Sequence, residues 1–202
     1  MNHPIEADLI DRLLGITPGS RLDQIRAARP LARENSQKSY LALLQPTGFG
    51  GFPARERWAV AAFVASLHGE PATAAFYAAE LCACDPALAD IVVRAADRVA
   101  TQGPYGRYPA GPLSAEDAPG PTYRAGDDDR AGLGPHLAAG LAHAHLLIFH
   151  PRDAGPDALH ARLEAGWSTT DIVTLSQLVA FLSFQIRVVA GLRELAATLQ
   201  AA

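Results

Sequence analysis

From Asp171 to about Leu199 the chain contains no proline, and Ile172, Leu175, Val179, Leu182, Ile186 and Val189 recur at steps of three and four. That spacing lays side chains along one face of an α-helix, and Val173, Phe181 and Val188 widen the stripe. A long amphipathic helix draws most of its stability from the elements that cover its apolar face. This helix is therefore expected at the centre of a core, where each large apolar side chain contributes about 1.5–3 kcal/mol on burial. The rest of the chain supports helical partners: 40 of its 202 residues are alanine, the strongest helix former. The expectation is an all-α protein, residues 1–202 forming one domain with a sizeable core.

Punctuation along the chain divides it into two helical halves. In residues 1–100, a helix is predicted from Ile5 to Leu14, closed by Gly15, and Ser20 with Asp23 forms a capping-box variant that opens another. Pro30 interrupts that second helix, and a third follows over Leu31–Leu44. Pro46-Thr47-Gly48-Phe49-Gly50-Gly51-Phe52-Pro53 reads as a loop. Helices are then predicted over Arg55–Leu67, Ala72–Leu81 and, after the Asp85-Pro86 cap, to Ala100. Residues 101–135 hold seven glycines and six prolines with Tyr105, Tyr108 and Tyr123, and are expected to be irregular: a lid, an interface arm or a partly disordered stretch. Residues 136–202 return to helix over His136–Phe149, Pro156–Ala165 and Asp171–Leu199.

Charge and composition exclude several classes. With 17 basic and 21 acidic residues the formal net charge is −4, and no run of Lys or Arg offers a nucleic-acid face. The amino-terminal residues carry acid where a signal peptide carries base, and the stretch Ile172–Phe184 is too short and too polar to span a bilayer. A cytoplasmic protein with neither membrane nor nucleic-acid partner is expected. Two cysteines cannot build a disulfide framework.

Two segments resemble a known family. Phe52-Pro53-Ala54-Arg55-Glu56-Arg57 through Ala79, and His150-Pro151-Arg152-Asp153-Ala154 followed by Gly166-Trp167-Ser168-Thr169-Thr170-Asp171 through Arg187, look like the carboxymuconolactone decarboxylase and alkylhydroperoxidase-D (AhpD-like) superfamily. The second segment is similar to the terminal helix of its "CMD domain protein" and peroxidase-related branches. The resemblance implies an AhpD-like helical bundle, a homo-oligomer (trimer or hexamer) and a small-molecule substrate; Ala62-Phe63-Val64 and Ala180-Phe181-Leu182 in comparable helices suggest that the halves are degenerate repeats, and no cofactor is expected. Redox-active members carry a glutamate, a Cys-x-x-Cys pair that attacks peroxide and resolves the sulfenic acid, and a histidine. Aligned on the turn His68-Gly69-Glu70-Pro71, the four positions are Trp58, Glu70, Thr73 and Tyr77. The thiol pair is missing, so the family's disulfide relay cannot run there.

Several side chains then compete for a role. Glu70, Thr73 and Tyr77 share one helix face, where Glu70 could serve as a base and Tyr77 as a hydrogen-bond donor, with Trp58 and Thr73 binding substrate; a helix-start acid and a packed tyrosine are the alternative. Cys82 and Cys84, two residues apart, point away from one another on a helix and are expected as small buried or half-buried thiols, or as the nucleophile of an alkylhydroperoxidase. His143, His145, His150 and His160 lack metal-ligand spacing and are expected as surface or capping residues, so no metal site is foreseen. Arg187, in an apolar helix, is expected to have a carboxylate or carbonyl partner, either structural or a ligand in an internal pocket; Ser176 and Gln177 pose the same question. Three functions remain open: proton transfer on a small organic molecule or partnership with an active relative, an alkylhydroperoxidase, and a binding or structural module.

Overall fold

The computed structural model describes residues 8–201. Among them are nine α-helices: α1 Leu9–Leu14, α2 Arg21–Ala27, α3 Pro30–Leu44, α4 Ala54–His68, α5 Pro71–Cys84, α6 Pro86–Val99, α7 Asp127–Phe149, α8 Pro156–Glu164 and α9 Thr169–Ala201. Short 3₁₀ turns occupy Pro112–Glu116 and Pro151–Asp153, and no strand occurs among the described residues. The protein is all-α. The expected start of the first helix at Ile5 lies outside the described residues.

Local chemistry sets most boundaries. Asp8, Ser20, Glu70 and Asp85 each accept the backbone N–H three residues on, and Ser168 does the same for Asp171 at 3.1 Å. Proline opens α3, α5, α6 and α8, where its missing N–H costs nothing. Gly15 and Gly69 close α1 and α4 at φ of 62° and 67°, a conformation that other residues adopt at a cost.

The core is one apolar cluster built from α1, α3 to α7 and α9, with Phe52, Tyr123 and Trp167 added from the connections. α4 runs through its middle, with Ala59, Ala61, Ala62 and Ala65 wholly buried, and packs on α5, α6, α7 and α9. α9 buries Ile172, Leu175, Val179, Leu182, Ile186 and Val189 as expected; of the three residues expected to widen the stripe, Phe181 is buried, Val188 is half-buried and Val173 is exposed. By length and composition alone Thr169–Leu199 could cross a membrane, which the shorter stretch read from the sequence could not; half of its most apolar window is buried against the other helices.

The Gly/Pro loop before α4 is fixed by Arg57. Its buried guanidinium donates to the carbonyls of Leu43 (2.7 Å), Phe49 (3.2 Å) and Phe52 (2.8 Å) and packs on the rings of Phe49 and Phe52. These three bonds compensate the desolvated charge.

The connection between the halves is more ordered than its composition suggests. Asp127–Leu133 are helical and form the start of α7, with three aspartates in the first turn complementing the helix dipole. A break at Gly134 (φ 73°, ψ 163°) precedes the restart at Pro135. Upstream, residues 101–126 fold over α7: Tyr105 donates its N–H to the Phe149 carbonyl, Gly106 pairs with Ala118, and Tyr123 packs against Phe63 at 5.1 Å. Opposite them, Gly140 lets Trp167 lie close, since a Cβ there would sit 2.7 Å from the indole.

Candidate functional site

The α5 face singled out in the sequence is closed by its own neighbours. Glu70 accepts from the Thr73 N–H (2.7 Å) and hydroxyl through one oxygen and from Arg193 (Nη2, 3.0 Å) through the other. Burial pushes its carboxyl up, but the Thr73 hydrogen bonds and the Arg193 guanidinium outweigh that and hold it below the usual range. Tyr77 is fully buried and donates its hydroxyl to Gln185 Oε1 at 2.5 Å. Burial drives its phenol well above its ordinary pKa. Trp58 lies beside it, ring centroids 6.3 Å apart. The structure thus groups Trp58, Glu70, Thr73 and Tyr77, but as satisfied groups in a packed interior.

Arg187 does not join them. It is exposed and forms no ion pair among the described residues. The outward face of α9 steps through Val173, Gln177, Ala180, Phe184, Arg187 and Gly191, so the position that suggested a buried charge is a solvent position. Ser176 instead bonds His143, at 3.0 Å.

Cys82 and Cys84 are exposed thiols on the last turn of α5, not buried ones. Partial burial and the carboxylates of Glu80 and Asp85 raise the Cys84 thiol. A nucleophilic cysteine needs the opposite surroundings.

The histidines correct the sequence reading most sharply. His143, His145 and His150 are buried, because α7 is covered by α4 and α9 on one side and by α8 and residues 101–126 on the other. His150 sits between two acceptors, the Asp153 carboxylate (3.1 Å) and the Pro121 carbonyl (2.8 Å). His143 keeps one ring nitrogen unpartnered, and burial, with the nearby Arg162 charge, lowers its pKa to about 4. For His145 burial likewise disfavours the charged ring, against a hydrogen bond to the Val99 backbone, and leaves it neutral at pH 7 with Nε2 unpartnered.

His145 and His150 border a cavity of about 690 Å³. Its floor is the α7 face of Pro135, Ala138, Ala139, Ala142 and Leu146, facing Ala158 and Ala161 of α8. Alanines on both sides leave the space unfilled. The polar wall holds Tyr123, Arg124, Arg130 and Arg162, with no Asp or Glu in the lining. The Tyr123 hydroxyl and Arg162 Nε are buried without partners, and burial pushes Tyr123 up to about 12, so it stays a neutral donor. Its ring lies 6.2 Å from that of His145. A second cavity of about 680 Å³ shares Thr122 and His150 with the first and is bordered by Arg107 and Asp153.

Native interiors pair almost all of their buried polar groups, and three residues that line this one cavity each keep a buried polar atom without a partner, which makes it the candidate site. Sequence reasoning missed Arg124, Arg130 and Arg162 entirely and gave His145 a surface role. One signal was legible: from His136 to Phe149 no charged Asp, Glu, Lys or Arg interrupts the helix, which therefore has no face suited to solvent. Compared with family models, curated proteins and solved structures, the chain matches none of them.

Proposed function

We propose that this chain is an AhpD-like helical protein of two degenerate halves that lacks the thiol pair, and that it performs proton-transfer chemistry on a small organic molecule bound between α7 and α8. One observation carries the reading: His145 is a buried, neutral imidazole with an unpartnered Nε2 at the wall of a cavity. In the tautomer that carries its proton on Nδ1, the lone pair lies on the unpartnered Nε2 and can accept a proton. In removal of a proton next to a carbonyl, the C–H electron pair moves to the carbonyl oxygen, and a neutral Tyr123 hydroxyl is the donor suited to that oxygen.

The AhpD-like resemblance also implies a homo-oligomer, trimer or hexamer. The exposed Leu159, Leu163 and Val173 on neighbouring faces of α8 and α9 suit such an assembly.

Hydrogen–deuterium exchange of small carbonyl compounds in D₂O, followed by NMR, tests the chemistry. Exchange is expected to fall about 10²-fold or more in His145→Gln, to weaken in Tyr123→Phe, and to persist in Glu70→Gln and in Cys82→Ser/Cys84→Ser. Exchange that vanishes with the thiols or with Glu70, and survives without His145, overturns it.

A further inference from the structure

We infer that the molecule bound in the α7–α8 cavity is an organic anion with an apolar body, a carboxylate whose charged end is held by Arg162 and whose hydrocarbon part lies on the alanine floor. This rests on the reading of that cavity as a small-molecule site and adds the class of the molecule.

The chain has more acid than base, net −4, yet three arginines and no Asp or Glu border this cavity. Arg162 is half-buried, its Nε has no partner, and it forms no ion pair among the described residues. Burial lowers its pKa with no opposing acid nearby. Arg124 is exposed and likewise without an ion pair among the described residues, and Arg130 has only a 3.8 Å approach to Asp127 and a bond to the Ala125 carbonyl. The two arginines buried elsewhere in the fold are compensated: Arg26 pairs with Asp8 and Asp11, and Arg57 donates to three backbone carbonyls. An unpaired, half-buried guanidinium is costly until an anion completes it, and its planar fork matches a carboxylate. Like charges converging on a low-dielectric concavity also raise the local concentration of anions. The floor of Ala138, Ala142, Leu146, Ala158 and Ala161 offers no hydrogen bonds, so it suits hydrocarbon and not a fully hydrated ion.

Titration calorimetry on the full chain tests this with three probes: 4-phenylbutyrate, its uncharged counterpart 4-phenylbutanol, and inorganic phosphate. The acid is expected to bind about tenfold or more tightly than the alcohol, as a charged hydrogen bond would give, and more tightly than phosphate. Arg162→Gln is expected to erase the preference for the acid, Arg162→Lys to keep part of it, and the exposed Arg94→Gln on α6 to leave it intact. If Arg162→Gln loses its helical circular dichroism, Arg130→Gln at the rim carries the test, with about threefold weaker acid binding. Equal binding of acid and alcohol overturns the anion while the cavity reading stands. Phosphate binding as tight as the acid overturns the apolar body. Binding of none of the three overturns the inference together with the small-molecule reading.

Discussion

Two polar clusters buried in this fold are opposites. On the α5–α9 side, Glu70 is held by Thr73 and Arg193, and Tyr77 by Gln185, so each group has the partners that burial requires. On the α7–α8 side, His145, Tyr123 and Arg162 each keep a buried nitrogen or oxygen with none. Sequence position favoured the first cluster, because it falls where a related family keeps its chemistry. Hydrogen-bond satisfaction favours the second. A fully paired buried cluster stabilises one conformation and leaves nothing for a ligand to complete, whereas an orphaned polar wall around a cavity stores a cost that binding removes.

The largest way to sharpen this contrast is pH. His143 has a folded-state pKa of about 4, pushed down by burial and the Arg162 charge, against 6.5 in the unfolded chain. As pH falls, the unfolded state takes up the proton first. Stability is therefore lost from about pH 6.5 down to about pH 4 and then levels off, about 3 kcal/mol in all. Glu70 runs the other way: its lowered carboxyl contributes above an unfolded value of 4.5 and loses that contribution only below it. Between pH 6.5 and 5 the loss thus reports histidines alone, with His68 and His145 acting in the same direction. Urea unfolding at pH 7 and pH 5 should show wild type losing about 2 kcal/mol more than His143→Gln. Equal losses would show that burial does not hold His143 neutral.

A pair of tyrosine variants gives the next largest effect. Tyr77→Phe strands the buried Gln185 oxygen and should cost about 1–3 kcal/mol. Tyr123→Phe removes a hydroxyl that bonds nothing and should be neutral or stabilising by up to about 1 kcal/mol. Thermal unfolding decides it: if the two substitutions cost the same, satisfaction does not separate the clusters.

Legibility follows the range of the interaction responsible. Helices were readable wherever the cue was local: Gly15 and Gly69 at helix ends, Pro71 and Pro86 in first turns, and the α9 stripe whose buried members match the spacing. Asp127–Leu133 was lost because Gly132, Gly134 and Pro135 mask a helical turn that its three aspartates favour. The cavity was not readable at all. It depends on residues 121–125 and α8 closing over α7 across long sequence separations, and no local pattern encodes that. The buried histidines were misjudged for the same reason, since His143 and His145 point to opposite sides of α7 and each is buried only if both sides are covered.

Arg187 gives the smallest effect and the cleanest control. Lying on the exposed stripe of α9 with no partner among the described residues, it should tolerate Arg187→Gln within about 0.5 kcal/mol by urea unfolding. Its charge still reaches one half-buried group. His68, bonded to Ser183 at 3.0 Å, is held below its ordinary pKa mainly by burial and further by Arg187. Removing the guanidinium should therefore move the His68 titration upward in NMR while leaving stability at pH 7 nearly unchanged. A loss of several kcal/mol would show that Arg187 has the buried partner its sequence context suggested, and would return the α5–α9 face to candidacy.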